Sequence, residues 1–335
     1  MKHLIKSLFV VLAFTGVAAA SHAADYQNRI VRFGYGLAED SNQGRAAKFL
    51  ADDLAKRTGG KIKMKGFGNA SLGNDMQMQN ALIGGAQEMT VVSTATLVGI
   101  VSDFGVYDLP FVFRNEREAD AILDGPFGQN LMAKLQEKGL VGLAYWENGF
   151  RNLTNSKRPI TKMEDMQGIK LRVMQNPVYI DMFKGFGANA IPLAFSELFT
   201  ALETGTVDGQ ENPVTTIQSS KFYEVQKYLS LTKHVYSPWI VLASKKWWDG
   251  LNADEKKAVQ DAVVTSRDFE RKDSRDASAK GIEFLKQKGM QVTVLNDKEL
   301  ERMQDTTRQA MFKFANDGHV KLIKELQSDL EKLRK

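Results

Sequence analysis

From Ile30 onward, short apolar runs alternate with amphipathic stretches that begin and end on helix caps. A chain patterned this way buries its apolar faces most readily as a sheet covered by helices. Ile30 to Gly36 alternates apolar residues and ends in glycine, so it reads as a strand. Ser41 or Asn42 then caps a helix whose Ala46, Ala47, Leu50 and Leu54 share a face, and Gly59-Gly60 stops it. Lys61 to Phe67 is a second strand. A helix from Asn74 to Ile83 follows, broken by Gly84-Gly85, and then a short buried strand, Met89 to Val92. The order predicts a mainly parallel α/β sheet.

The pattern resumes further on. Leu140 to Tyr145, Ile169 to Val173, Asn189 to Ile191 and Val207 to Gln210 read as strands. Helices are predicted near Val178 to Phe186 and Glu197 to Glu203, the second capped by Ser196 and stopped by Gly205. From Asn252 the chain becomes a long, charged, Ala-rich helical stretch in which Asn252 and Glu255 have capping-box spacing. No repeat of solenoid length and no low-complexity linker appears. A mature chain of about 310 residues exceeds what one core usually holds, which favours two closely joined lobes.

The first 23 residues read as an export signal: Lys2 and Lys6, an apolar run from Leu8 to Val17, and Ser21-His22-Ala23 at the cleavage site, with Ala20 the alternative. The run is shorter than the roughly 20 residues that a spanning helix needs. No later stretch is apolar enough to cross a membrane, so a soluble, exported protein is expected. Lys2 and Lys6 account for two units of the formal charge of +5. The +3 left on the mature chain is spread along it, which suits small anions and lacks the clustered footprint of a nucleic-acid binder. Cysteine is absent, which excludes thiolate catalysis and thiolate metal sites, and His234 and His319 are the only histidines left after the signal.

Catalytic signatures fail in turn. The chain has no Walker-type loop ending in Gly-Lys-Ser/Thr, no His-Glu-x-x-His pair and no Gly-x-Ser-x-Gly elbow. Gly185 to Ala190 fits the loose dinucleotide pattern, but it follows a helix and precedes a strand, the reverse of what a pyrophosphate cradle needs. A lone His234 at a strand end reads as a structural hydrogen-bonder. The chain is read as a binding protein without cofactor or metal. The rival from another class is a secreted hydrolase or lyase working through carboxylates.

Two arginines stand out. In Ile169 to Val173 the apolar residues face the core, so Lys170 and Arg172 take the other face, with Arg172 near the strand's carboxyl end, where ligands of α/β sheets sit. A guanidinium there can grip a carboxylate through two parallel hydrogen bonds, or pair with a nearby surface acid. Arg151 shares strand parity with Leu153, which implies burial, and a buried cation needs an anion. Glu147, Glu211 or a ligand would each serve. Asn212 closes a strand with an amide that both donates and accepts. Phe195 reads as core on pattern alone.

Five motifs occur in order: Arg151 to Asn155, Met166 to Val173, Ala194 to Leu198, Val207 to Pro213 and Lys221 to Lys227. Leu72-Gly-Asn and Asp108-Leu-Pro-Phe-Val-Phe113 extend them. Together they resemble the solute-binding proteins of tripartite ATP-independent periplasmic (TRAP) transporters, the DctP-type family, over essentially the whole mature chain. The resemblance implies a two-lobed periplasmic binding protein fold (type II-like) with a long interlobe helix after Asn252. It assigns 24–149 plus about 238–277 to the first lobe, and 150–237 plus about 278–335 to the second. It further implies a periplasmic monomer that delivers its ligand to sodium-coupled membrane permease subunits. Arg172 matches the family's carboxylate-binding arginine, Arg151 a second pocket arginine, Asn212 the asparagine of the Gln-Glu-Asn-Pro motif, and Phe195 the aromatic that packs on the ligand.

Glu39, Asp75, Ser93 and Trp239 fall where members of that family vary their contacts to the rest of the ligand. Ser93 departs from the acidic residue of sialic-acid binders. The run Ala144 to Arg151 is similar to that of diketogulonate binders, and related runs occur in dicarboxylate binders. Glu39 and Asp75 would accept hydrogen bonds from sugar hydroxyls and repel a second carboxylate. The expected ligand is therefore a monocarboxylate sugar acid (a uronate, aldonate or keto-aldonate), with a C4-dicarboxylate such as succinate or malate as the alternative.

Overall fold

The computed structural model describes residues 24–335, so the export signal and its cleavage site lie outside the described residues. β1 (Arg29–Gly34), α1 (Asn42–Arg57), β2 (Ile62–Phe67), α2 (Asp75–Gly84) and β3 (Met89–Ser93) open the fold as the alternation predicts. The Ser41 hydroxyl accepts from the Gly44 N–H at the start of α1, and Asn74 and Gln77 form a reciprocal capping box on α2. β1 lies parallel to β2 and β3. After α3 (Glu116–Asp124) and α4 (Pro126–Ala133) the chain enters β4 (Leu140–Asn155), a strand of 16 residues where the apolar pattern predicted only its first part.

β4 belongs to two sheets. Its first two thirds pair antiparallel with β9 (Tyr236–Ser244), and its last residues pair with strands of the second lobe. A register shift between Glu147 and Gly149 falls just ahead of the changeover at Phe150 and Arg151, and Gly149 takes a φ of 113° that a side chain would strain. The second lobe contains β5 (Lys170–Val173), α5 (Pro177–Gly185), β6 (Asn189–Pro192), α6 (Leu198–Glu203), β7 (Gly209–Pro213), α7 (Val214–Ser219) and β8 (Tyr228–Leu231). Phe195–Glu197 forms a 3-10 turn ahead of α6, so Ser196 sits inside the turn and does not cap the helix. Gly205, at a φ of 71°, follows the end of α6 as expected.

The strand order β2-β1-β3-β9-β4-β7-β5-β6 corrects the expectation of a mainly parallel sheet. Parallel pairs occupy the two flanks, while β3–β9, β9–β4 and β4–β7 are antiparallel. The chain leaves the first lobe along β4 and returns along β9, and an outgoing and a returning strand laid side by side must run in opposite directions.

After α8 (Lys245–Asp249) comes α9 (Ala253–Gln287), 35 residues with the predicted Asn252–Glu255 capping box. Its first half packs on α1 and β4, and its last turns pack on α7 and beside β10 (Gln291–Val294). The chain then runs through α10 (Asp297–Thr306) and α11 (Arg308–Phe314), which rests on α5, to α12 (Val320–Leu333). Ile323, Leu326 and Leu330 of α12 join the cluster of Phe104, Ile122 and Leu131. The C-terminal helix therefore packs against α3 and the 3-10 segment Ser102–Asp108, whereas the resemblance assigned about 278–335 to the second lobe. Its apolar stripe finds its cover against α3. Among the described residues no helix is long and apolar enough to cross a membrane.

Candidate functional site

The two lobes meet over a cavity with about 600 Å³ of space free of atoms, part of it open to solvent. Arg172, Asn212, Phe195, Asp75, Ser93 and Trp239 all line it. β5 carries Arg172, held in register between Gln210 of β7 and Ile191 of β6. The side chain is 2 % exposed, and its Nε donates to the Leu193 carbonyl at 2.9 Å. Among the described residues no carboxylate lies within 4.0 Å of its guanidinium, and no protein acceptor takes its two terminal nitrogens. Arg172 is thus neither on the outer surface nor paired with an acid. Burial lowers its pKa to about 10, with the nearby Glu211 opposing and Arg151 adding to the shift, so it stays charged at neutral pH.

Arg151 lies elsewhere. It is fully buried and absent from the cavity wall. Its Nε and Nη2 both reach the Glu211 carboxylate, Nη2 at 2.8 Å, and Nη2 also reaches the Glu211 carbonyl at 2.6 Å. Of the three partners open to it in the sequence, the structure selects Glu211. The Tyr179 ring lies 5.6 Å from the guanidinium carbon. His234 bridges the Thr232 hydroxyl at 2.7 Å and Glu211 at 3.1 Å, the structural role read for a lone histidine. Burial lowers the His234 pKa against the pull of Glu211. Burial alone would raise the Glu211 pKa, but the charge of Arg151 and the hydrogen bonds it receives hold it below the usual range. Asp108, close by, is pushed up by burial to about 8 despite Arg151. The cluster behind the wall is therefore balanced, and Arg172 is the cation it leaves over.

β7 presents Asn212, whose Nδ2 donates to the Gln210 Oε1 at 2.6 Å. Gln210 in turn donates to Thr154, and Thr154 to Gln226, so a relay of neutral groups fixes the Asn212 amide. From the first lobe, Asp75 stands at the first position of α2, and its Oδ2 accepts from the Ser93 N–H at 2.9 Å. Ser93 ends β3 in register with Trp239 of β9. Phe195 is half-buried, tilted against Phe222 at 6.0 Å between ring centroids, so it is part core and part wall. Glu39 is exposed and outside the cavity, because the chain there turns outward between Leu37 and the Ser41 cap.

Sequence reasoning missed several neutral wall residues, among them Asn74, Thr96, Asn148, Gln175 and Thr216. Asn148 sits in the β4 bulge and accepts from the Thr216 hydroxyl at 3.3 Å. Uncharged amides and hydroxyls leave no periodic signature. The one available signal was Asn148 beside the bulge glycine. Among the described residues no cluster of histidine and acidic side chains is arranged to hold a metal ion.

A cavity between two α/β lobes, with a buried cation on its wall, has the architecture of a small-ligand binding site. The family profile described as bacterial extracellular solute-binding protein, family 7 (DctP) matches residues 33–317. The chain belongs to this family. It is similar to the 2,3-diketo-L-gulonate-binding periplasmic protein YiaO of Escherichia coli, with 38% identity over 86% of this chain and 88% of that protein. It is also similar to the C4-dicarboxylate-binding periplasmic protein DctP of Rhodobacter capsulatus, with 32% identity over 78% of each chain. Among solved structures, the sugar acid binding protein DctPAm of Advenella mimigardefordensis in complex with galactonate superposes with a TM-score of 0.91. It is 50% identical, and the match covers 92% of this chain and 99% of that one. Family 7 members are binding proteins of transport systems rather than enzymes, which removes the hydrolase or lyase reading. The two-lobed fold with its long helix is that of the TRAP solute-binding proteins.

Proposed function

We propose that this protein captures a monocarboxylate sugar acid between its lobes and delivers it, as a periplasmic monomer, to the permease subunits of a TRAP transporter. The observation that carries the reading is Arg172, a buried guanidinium on the cavity wall whose terminal nitrogens meet no protein acceptor among the described residues. Such a fork matches a carboxylate in shape and charge. The rest of the wall is rich in amides and hydroxyls, including Asn74, Asn148, Asn212 and Thr216, which suit a polyhydroxylated chain. Phe195 and Trp239 supply apolar faces for its C–H groups. The relatives named for diketogulonate and galactonate point the same way, and the Rhodobacter protein named for C4-dicarboxylates keeps that class as the alternative.

A thermal-denaturation screen of the purified mature protein against uronates, aldonates, keto-aldonates and C4-dicarboxylates tests this. A sugar acid at 100 times its dissociation constant is expected to add about 2.7 kcal/mol to unfolding. Stabilisation by C4-dicarboxylates alone would replace the sugar-acid reading with its alternative. Turnover of any stabilising acid would contradict a binding role altogether.

A further inference from the structure

Asn148 of β4 and Gln43 of α1 both line the cavity, and the residue before each of them is held by one carboxyl group. That group is Glu270 of α9, which is fully buried and stands outside the cavity. Its Oε2 accepts from the Glu147 N–H at 2.7 Å, and its Oε1 accepts from the Asn42 amide at 3.3 Å. Ser274, one turn further along α9, takes the same Asn42 amide at 3.2 Å. Among the described residues no cation pairs with Glu270. Arg271 goes to Asp120 and Asp124, and Arg275 goes to Asp120 and Glu147.

The β4 contact falls where the sheet holds the backbone least. Glu147 faces Pro238 and Gly149 faces Ser237, so Asn148 is the extra residue of the bulge and has no ladder partner. Pro238 has no N–H to return across the ladder, and the Glu147 N–H turns instead to Glu270. The Asn148 oxygen accepts from the Thr216 hydroxyl of α7 in the second lobe. The α1 contact fixes the first residue of that helix. Gln43, next along, accepts from the Leu37 N–H at 2.9 Å, and both of these residues line the cavity. Two wall segments from distant parts of the chain thus share one anchor.

We propose that Glu270 is a positioning residue of the ligand cavity: by holding the Glu147 N–H and the Asn42 amide, it sets where Asn148 and Gln43 stand in the wall. The proposal rests on the reading of this cavity as the acid-binding site and adds a residue that never touches the ligand. A polar wall selects its ligand only where its groups are held to within about 0.5 Å by the hydrogen bonds behind them. An apolar residue in place of Glu270 leaves two buried donors short of an acceptor. The bulge and the start of α1 must then shift to find others, and Asn148 and Gln43 move with them.

Calorimetric titration of the parent, Glu270→Leu and Glu270→Gln with galactonate and with succinate tests this. Leucine has similar bulk and no acceptor. Glutamine keeps an oxygen for the Glu147 N–H and, with the Asn42 amide turned over, a donor for the Asn42 oxygen. Glu270→Leu is expected to bind whichever acid the parent binds about tenfold more weakly or worse, and Glu270→Gln to stay within about threefold of the parent. The titration separates this effect from poor folding. Unfolded protein lowers the number of sites titrated, whereas a displaced wall lowers the affinity of the sites that remain. Asn42→Ala removes the α1 contact alone and leaves the Ser41 cap in place, so it serves where Glu270→Leu does not fold, with an expected loss of about threefold or more. Parent-like affinity in Glu270→Leu, or in Asn42→Ala where the leucine variant is unfolded, overturns the proposal. So does a glutamine variant that loses as much as the leucine one. A parent that binds succinate and not galactonate contradicts the sugar-acid reading, while the variants still decide the role of Glu270 with succinate. A parent that binds neither acid contradicts both.

Discussion

Arg151 and Arg172 are both large, buried and cationic, yet their surroundings give them opposite consequences for stability. Arg151 is locked to Glu211 by three hydrogen bonds. Removing one member of a buried pair leaves the other charged and unpaired, at a cost of about 3–5 kcal/mol. Among the described residues Arg172 has no carboxylate partner and holds only the Leu193 carbonyl through Nε. Without ligand, Arg151→Met should therefore lower the melting temperature sharply, while Arg172→Met should leave it unchanged or raise it. Equal losses in the two variants, measured by thermal denaturation, would contradict this division of roles. The sequence made both arginines visible, Arg151 by a strand parity that implies burial and Arg172 by its place near the carboxyl end of a strand. It did not separate them, because the partner of Arg151 lies 60 residues away on β7 and only the sheet brings it alongside. Glu39 and Asp75 looked alike for the same reason. One caps no element and points outward, and the other is held at a helix start by a strand end far along the chain.

α9 has a length of about 52 Å at 1.5 Å per residue, enough to run along both lobes. Its interior carries Glu270, fully buried, whose Oε2 accepts from the Glu147 N–H at 2.7 Å while Oε1 lies 3.3 Å from the Asn42 amide at the start of α1. Burial drives its pKa well above the usual carboxyl value, with the Glu147 N–H and Arg271 opposing and Glu147 and Asp273 adding to the shift. A carboxyl raised in the folded state contributes stability that is complete below its unfolded pKa, near 4.5, and is lost as pH rises through its folded value. Glu270→Gln should consequently melt higher than the parent at pH 8, and the advantage should shrink as the pH falls toward 4.5. A constant difference across that range would show that Glu270 does not titrate with folding. At this scale two caps were legible in the sequence: Ser41, one of the two residues offered for α1, and Asn252 both cap the helices read from them, while Asn74, read only as the start of its helix, caps α2. β9 was not, because Tyr236–Ser244 is buried on both faces and shows no alternation to read. The length of β4 was hidden likewise, since polar Glu147, Asn148 and Asn152 are buried at the junction of the lobes.

For the molecule as a whole, two sheets share one strand, the chain returns along a second, and α9 and α12 tie the ends across the same boundary. Crossings this numerous permit a hinge and forbid free tumbling of one lobe against the other, which suits a receptor that encloses its ligand and later releases it. The two-lobed class was legible from strand–helix order, chain length and motif order. The antiparallel centre and the placement of α12 were not, because both depend on contacts between segments far apart in sequence. The central claim is that the carboxylate of a sugar acid is gripped by Arg172 inside this boundary. Calorimetric titration of the parent and of Arg172→Ala, using the sugar acid that stabilises the parent most, tests it directly. Loss of one partner from a buried, hydrogen-bonded charge pair costs about 2–5 kcal/mol, so the variant should bind about 30- to 5,000-fold more weakly. Arg172→Lys, which keeps the charge without the fork, should remain clearly weaker than the parent. An Arg172→Ala affinity within threefold of the parent would contradict the account.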